Sequence, residues 1–102
     1  KAIVTSQALN PHLTDVNSYQ MATQTITDAI GEAVAVGGNV DYMALMDNFC
    51  WCSSDEGERL FQLKKSAQGC YDGAVNYGTP FISGKDSMFN DFKGYDRNNE
   101  EV

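Results

Sequence analysis

Apolar and polar positions along the chain alternate between two periods. Ala2–Ala8 (AIVTSQA) is rich in β-branched residues and is predicted to be a strand, ended by Leu9-Asn10-Pro11-His12, because Pro cannot continue a ladder. From Asn17 or Ser18, a good N-cap, apolar positions recur with a helical period. Tyr19, Ala22, Ile26, Ala29, Ile30, Ala33 and Val34 form one stripe, and Gly37-Gly38-Asn39 stops it. Val40–Phe49 (VDYMALMDNF) is apolar enough for a second strand covered on both faces over part of its length. Ser53 with Glu56 three residues on is a capping box that opens a second helix. Its stripe is Leu60, Leu63, Ala67, Cys70, Tyr71 and Ala74, and Gly78 ends it before Thr79-Pro80. Phe81-Ile82-Ser83 is a short third strand running into a Gly84-Lys85-Asp86-Ser87 turn.

The predicted order is strand-helix-strand-helix-strand, a layered domain over 1–90 followed by a polar linker or tail over 91–102. Alternation by itself suggests parallel pairing. Gly69 and Gly73, four apart beside the second stripe, are expected to let that helix approach the sheet closely.

At 102 residues the chain has room for one domain. It carries 7 Lys+Arg against 14 Asp+Glu, a formal net charge of −7, with the basic residues scattered. That balance argues against a nucleic-acid or anionic-membrane surface, and no apolar run reaches membrane-span length. The three cysteines, Cys50, Cys52 and Cys70, read as reduced thiols of a cytoplasmic protein. The chain opens without Met in a strand-like run and closes in a polar tail, which reads as a piece of something longer.

Several residues carry candidate chemistry. Asp28 and Glu32 lie one turn apart on the first helix, where a hard cation such as Mg²⁺ offsets their mutual repulsion, although a solvated acidic face is the plainer reading. Asp47 sits near the C-terminal end of the middle strand, where ligands gather in open α/β layers, or else makes a local turn contact. Gly84-Lys85-Asp86-Ser87 is not a Walker loop: five residues separate Gly78 from Gly84, and Asp86 stands where Ser or Thr must follow Lys. A glycine there still exposes backbone N–H groups to an oxyanion, or simply makes a turn. Cys50-x-Cys52 with the single His12 is too sparse for structural zinc, and nucleophilic catalysis lacks a Ser/His/Asp or Cys/His set.

The blocks Ser6–Pro11, Ala33–Asn39, Asp47–Trp51 and Gly78–Ser87, in that order and spacing, resemble the phosphoribosylformylglycinamidine synthase family. More narrowly, they resemble the N-terminal half of its second AIR-synthetase-like repeat. The resemblance implies an α+β, two-layer α/β sandwich whose sheet joins another repeat. The family uses ATP and Mg²⁺ to phosphorylate the amide oxygen of formylglycinamide ribonucleotide. Ammonia from a glutaminase then displaces phosphate to give the amidine. By matching position, Asp47 and Gly84 are ATP contacts and Ser87 a substrate contact. Lys85 stands where short members carry a metal-binding Asn, so Asp86 takes the metal or Lys85 supplies a phosphate or charge contact instead. Asp28 and Glu32 match an auxiliary-site Glu-x-x-x-Asn metal pair, with both residue types changed. Asn10-Pro11-His12-Leu13 replaces the family's Asn-Pro-Arg-Tyr, and no glutaminase residue is carried over. The implied partners are the remaining synthase domains, including the first repeat, and a glutaminase domain or subunit; pairing of like chains is a further option. The isolated chain is expected to be inactive. The alternative is a non-catalytic nucleotide-binding or assembly module of the same fold.

Overall fold

A computed structural model describes residues 2–14, 16–51 and 57–87. The elements run α1 (Ser18–Ala35), β1 (Leu45–Cys50), α2 (Gly57–Tyr77) and β2 (Phe81–Ser87), with single 3₁₀ turns at Pro11–Leu13 and Val40–Tyr42. The Ser53/Glu56 capping box and the 91–102 tail lie outside the described residues. The class is a small α+β chain with two helices and a two-stranded parallel sheet.

Both helices start or stop where backbone chemistry requires it. Asn17 caps α1 in an extended conformation, its side-chain oxygen accepting the Gln20 N–H at 3.0 Å. Each helix ends on a glycine at positive φ, 101° for Gly37 and 68° for Gly78. At α1 the Gly38 N–H donates to the Ala33 carbonyl and the Gly37 N–H to that of Val34. Thr79 and Gly78 repeat the pattern on the Ala74 and Val75 carbonyls. This is the Schellman closure, and the left-handed φ it needs is one that L side chains resist.

The helix pair runs parallel, because contacts advance together along both: Ser18 with Ser66, Ala22 with Gly69, Ile26 with Gly73, Thr27 with Tyr77. The seam is made of small residues on α2 and Ala22, Ile26, Ile30 and Ala33 on α1. Ser66 is 0% exposed and donates to the carbonyls of Gln62 and Ser18, so its burial leaves no orphan. Gly69 and Gly73 therefore serve the approach to α1, not the approach to the sheet that their position suggests in sequence. The expected α2 stripe divides accordingly. Leu63, Cys70 and Ala74 are half-buried, while Leu60 and Tyr71 are exposed because the close helix contact runs along the glycine side.

Three further expectations need correction. Ala2–Ala8 forms no ladder: Ile3 is 93% exposed, and the segment is held to α1 by the Ser6 hydroxyl donating to the Ala29 carbonyl at 2.6 Å. A strand needs a neighbour to satisfy its amides, and β1 and β2 take each other. The middle strand begins at Leu45, since the Asn39 side chain accepts the Asp41 N–H and turns the chain into its 3₁₀ segment. The Gly84–Ser87 turn is absent; those residues extend β2, because they pair with Asp47–Cys50.

Parallel β1 and β2 joined through α2 make one βαβ unit. Trp51, buried just after β1, donates its indole N–H to the Arg59 carbonyl at 3.0 Å and so pins the strand end to the start of α2. No helix among the described residues is long and apolar enough to cross a membrane.

The seam predicts opposite outcomes for two glycine substitutions. A Cβ at Gly69 would stand 2.7 Å from the Tyr19 carbonyl oxygen and 2.9 Å from the Ala22 Cβ, whereas a Cβ at Gly31 meets nothing within 4 Å. Overpacking costs ~1–3 kcal/mol and outweighs the ~1 kcal/mol helix-propensity gain. Gly69→Ala should therefore lower the denaturation midpoint, and Gly31→Ala should raise it by the propensity gain alone. Thr79, 1% exposed, has no partner for its side-chain oxygen. Thr79→Val should be neutral or stabilising in the same measurement, because it removes a buried hydroxyl that gains nothing.

Candidate functional site

Strand alternation sorts the candidate residues into two groups. On β1, Leu45, Asp47 and Phe49 are half-buried and Met46, Asn48 and Cys50 exposed. Register places Asp47 beside Gly84 and Phe49 beside Asp86, so Asp47, Gly84 and Asp86 share one face of the ribbon, on which Asp47 is half-buried and Gly84 and Asp86 are exposed. On the opposite face Asn48 neighbours Lys85 and Cys50 neighbours Ser87, with the Lys85 ammonium donating to the Ser87 hydroxyl at 3.4 Å.

The Asp47 carboxyl lies directly over Gly84. A Cβ built there would fall 2.8 Å from its Cγ and 3.0 Å from Oδ2. Glycine in mid-strand is what allows this close approach. Burial pushes the Asp47 carboxyl above its ordinary range, and the charge and hydrogen bond of Asp86 push it further in the same direction. Two neighbouring carboxylates on one sheet face are the donor chemistry of a hard cation. Among the described residues no three His, Cys, Asp or Glu side chains converge, so a metal held by this pair would need its remaining ligands from outside the described residues.

Cys70 of α2, which sequence reading assigned only to the core stripe, lies near enough to Asp47 to be affected by its charge. Burial first, and the Asp47 charge second, push its thiol up to about 11, so it stays neutral. Its half-buried place on the sheet side of α2 was legible from helical spacing, whereas its proximity to the Asp47 charge depends on the tertiary fold.

Asp28 and Glu32 stand on α1, away from the ribbon. Asp28 is already engaged at both oxygens, taking the Asn10 amide at 2.9 Å and the Gln24 amide at 2.7 Å. These two bonds, Asn10 first, hold its carboxyl below the ordinary range. Asn10 also donates to Thr25 at 3.2 Å, and so ties the Asn10-Pro11 turn to α1. Glu32 is exposed on the next turn.

The two aspartates respond oppositely to pH. Folding depresses Asp28, so its ionised form contributes stability above pH 3.8 that is lost as pH falls through its lower folded value. Folding raises Asp47, so its contribution is present below pH 3.8 and lost as pH rises through its higher folded value. Carboxyl-carbon NMR should find Asp47 ionising at higher pH than Asp28, with Asn10→Ala moving Asp28 upward and leaving Asp47 in place. The reverse order of ionisation contradicts the geometry.

Comparison with known proteins finds partial, low-identity similarity to one group of subunits. No family model matches the chain, and no solved structure matches it. It is 26% identical over 91 residues to the phosphoribosylformylglycinamidine synthase subunit PurL of Methanococcus aeolicus, covering 89% of this chain. The subunits of the same name from Thermococcus gammatolerans and Thermococcus kodakarensis are 28% and 27% identical over 82 residues, 80% of this chain. The chain spans 11–12% of the length of these curated relatives. The similarity therefore relates most of this chain to a short part of phosphoribosylformylglycinamidine synthase subunits.

Proposed function

We propose that this chain contributes one wall of the active site of a phosphoribosylformylglycinamidine synthase, as the N-terminal half of its second AIR-synthetase-like repeat. The observation that carries this reading is Asp47 seated over Gly84, with Asp86 beside it, on one face of a parallel ribbon. In the order of the resemblance these are the nucleotide-contacting aspartate and glycine. The similarity to synthase subunits over 80–89% of the chain supports the synthase part of this reading.

Asp47 and the Gly84 backbone contact ATP in this reading, and the Asp47–Asp86 pair holds Mg²⁺. The ion, when bound, would cancel charge on phosphate oxygens, and the Asp47 and Asp86 carboxylates would position it beside the Gly84 backbone. Ser87 contacts the ribonucleotide on the opposite face, and Lys85 offers its ammonium as a charge contact there. A metal at Asp28 and Glu32 would compete with the amide hydrogens of Asn10 and Gln24 for the Asp28 oxygens, so the auxiliary site is the weaker of the two metal assignments.

The remaining ligands come from other parts of the synthase, including its first repeat, and ammonia from a glutaminase domain or subunit in the cytoplasm. Met46 at 73% exposure and Ile82 leave apolar surface on β1 and β2 that such a neighbour covers. The chain alone is inactive on this account.

In the intact synthase, Asp47→Asn should lower the rate by about 100-fold, with a much smaller change in unfolding midpoint. Gly84→Ala should weaken Mg·ATP binding, because its methyl occupies the place of the Asp47 carboxyl. Wild-type turnover in Asp47→Asn refutes the nucleotide role, and leaves the non-catalytic assembly module as the reading.

A further inference from the structure

α2 carries a wider apolar face than its neighbours cover. With side chains turning about 100° per residue, that face divides into arcs. Ser66, Gly69 and Gly73 meet α1. Leu63, Cys70 and Ala74 lie about 90° further round and are half-buried. The influence of the Asp47 charge on Cys70 places the ribbon on that side. Leu60, Ala67 and Tyr71 follow about another 60° on, and all three are exposed, Leu60 at 50% and Tyr71 at 69%. Beyond them comes the solvent arc of Lys64, Gln68, Asp72 and Lys65, bordered by Val75. Phe61 sits within that arc with the Lys65 ammonium 5.5 Å from its ring centre. The uncovered flank therefore continues the ribbon-facing side of α2, in the direction away from α1.

The ribbon indicates what belongs there. Among the described residues β1 and β2 form a two-stranded sheet, so each strand has one neighbour and presents an outer edge of N–H and C=O groups. Two strands are the least stable form of a sheet, and a third adds most. The Leu60 to Tyr71 flank runs about 17 Å along α2, the length of about five strand residues. It carries no charge, so it suits a strand that turns apolar side chains toward α2 at alternate positions. A helix laid on the flank leaves the strand edge unmet. The chain spans 11–12% of the length of its curated relatives, so most of a polypeptide of that kind lies outside it.

We propose that the Leu60–Ala67–Tyr71 flank of α2 seats a further β-strand from elsewhere in a longer polypeptide, added to the ribbon edge on the side away from α1. The inference rests on reading this chain as part of a synthase, but not on the nucleotide role of Asp47. Wild-type turnover in Asp47→Asn would leave it standing.

The test is hydroxyl-radical footprinting of the intact synthase, with each side chain referred to its rate in the urea-unfolded protein, joined to amide hydrogen exchange. The expected result is modification of Leu60 and Tyr71 slowed about tenfold or more, with Phe61 within about threefold of its unfolded rate. On one strand of the ribbon, the alternate amides that point away from the β1–β2 ladder should also exchange slowly. Tyr71 modified as fast as Phe61 overturns the proposal. So does a protected flank with those amides exchanging freely, which would place a helix or loop there. Protection lost on dilution overturns it too, because the cover would then be a second copy.

Discussion

The parallel pairing of β1 with β2 in one register is the constraint on which everything else rests. Asp47 beside Gly84 and Phe49 beside Asp86 is a single choice of alignment. A slip of one residue on either strand turns its side chains to the other face and separates the carboxyl from the glycine. The register is held at both ends of β1. The Leu45 N–H donates to the Pro80 carbonyl at 2.8 Å, and the Trp51 N–H to the Ser87 carbonyl at 2.8 Å. The Trp51 indole then fastens that end to α2. α2 is in turn set by its close fit to α1, so small residues far from the ribbon help determine where Cys70 lies relative to the Asp47 charge.

The helices were the most legible part of the chain. Their caps and stops are written in single residues, Asn17 at one end and Gly37 and Gly78 at the others, and the structure uses each of them. Strands were less legible, because a strand exists only with its partner. The β-branched run at Ala2–Ala8 meets every local criterion and still has no ladder, while Gly84–Ser87 looks like a turn and is a strand. Propensity describes the residue; pairing depends on what lies alongside.

The site was legible in part for the same reason. Asp47 and Gly84 stood out by position, and Asp86 by its place in the same block. Their convergence, and the separation of Lys85 and Ser87 onto the other face, follow from register and strand alternation, which spacing along one strand cannot supply. The Asn10 and Gln24 amides on Asp28 belong to the same class of fact: Gln24 is one turn away, but Asn10 arrives from a different segment. The small-residue seam was visible as Gly69 and Gly73, and its partner was misread because helix-to-sheet and helix-to-helix approach call for the same residues.

The ribbon divides chemistry between its faces, two carboxylates on one and an ammonium with a hydroxyl on the other. Such a division suits a role in which metal-bound phosphate and a second ligand approach from different sides, each completed by other parts of a larger protein. The most direct measurement is anomalous scattering from crystals of the intact synthase grown with Mn²⁺ and ADP. The account predicts a peak within coordination distance, about 2.0–2.6 Å, of the Asp47 and Asp86 carboxylates above Gly84. A peak at Asp28 and Glu32 with none at the ribbon contradicts it.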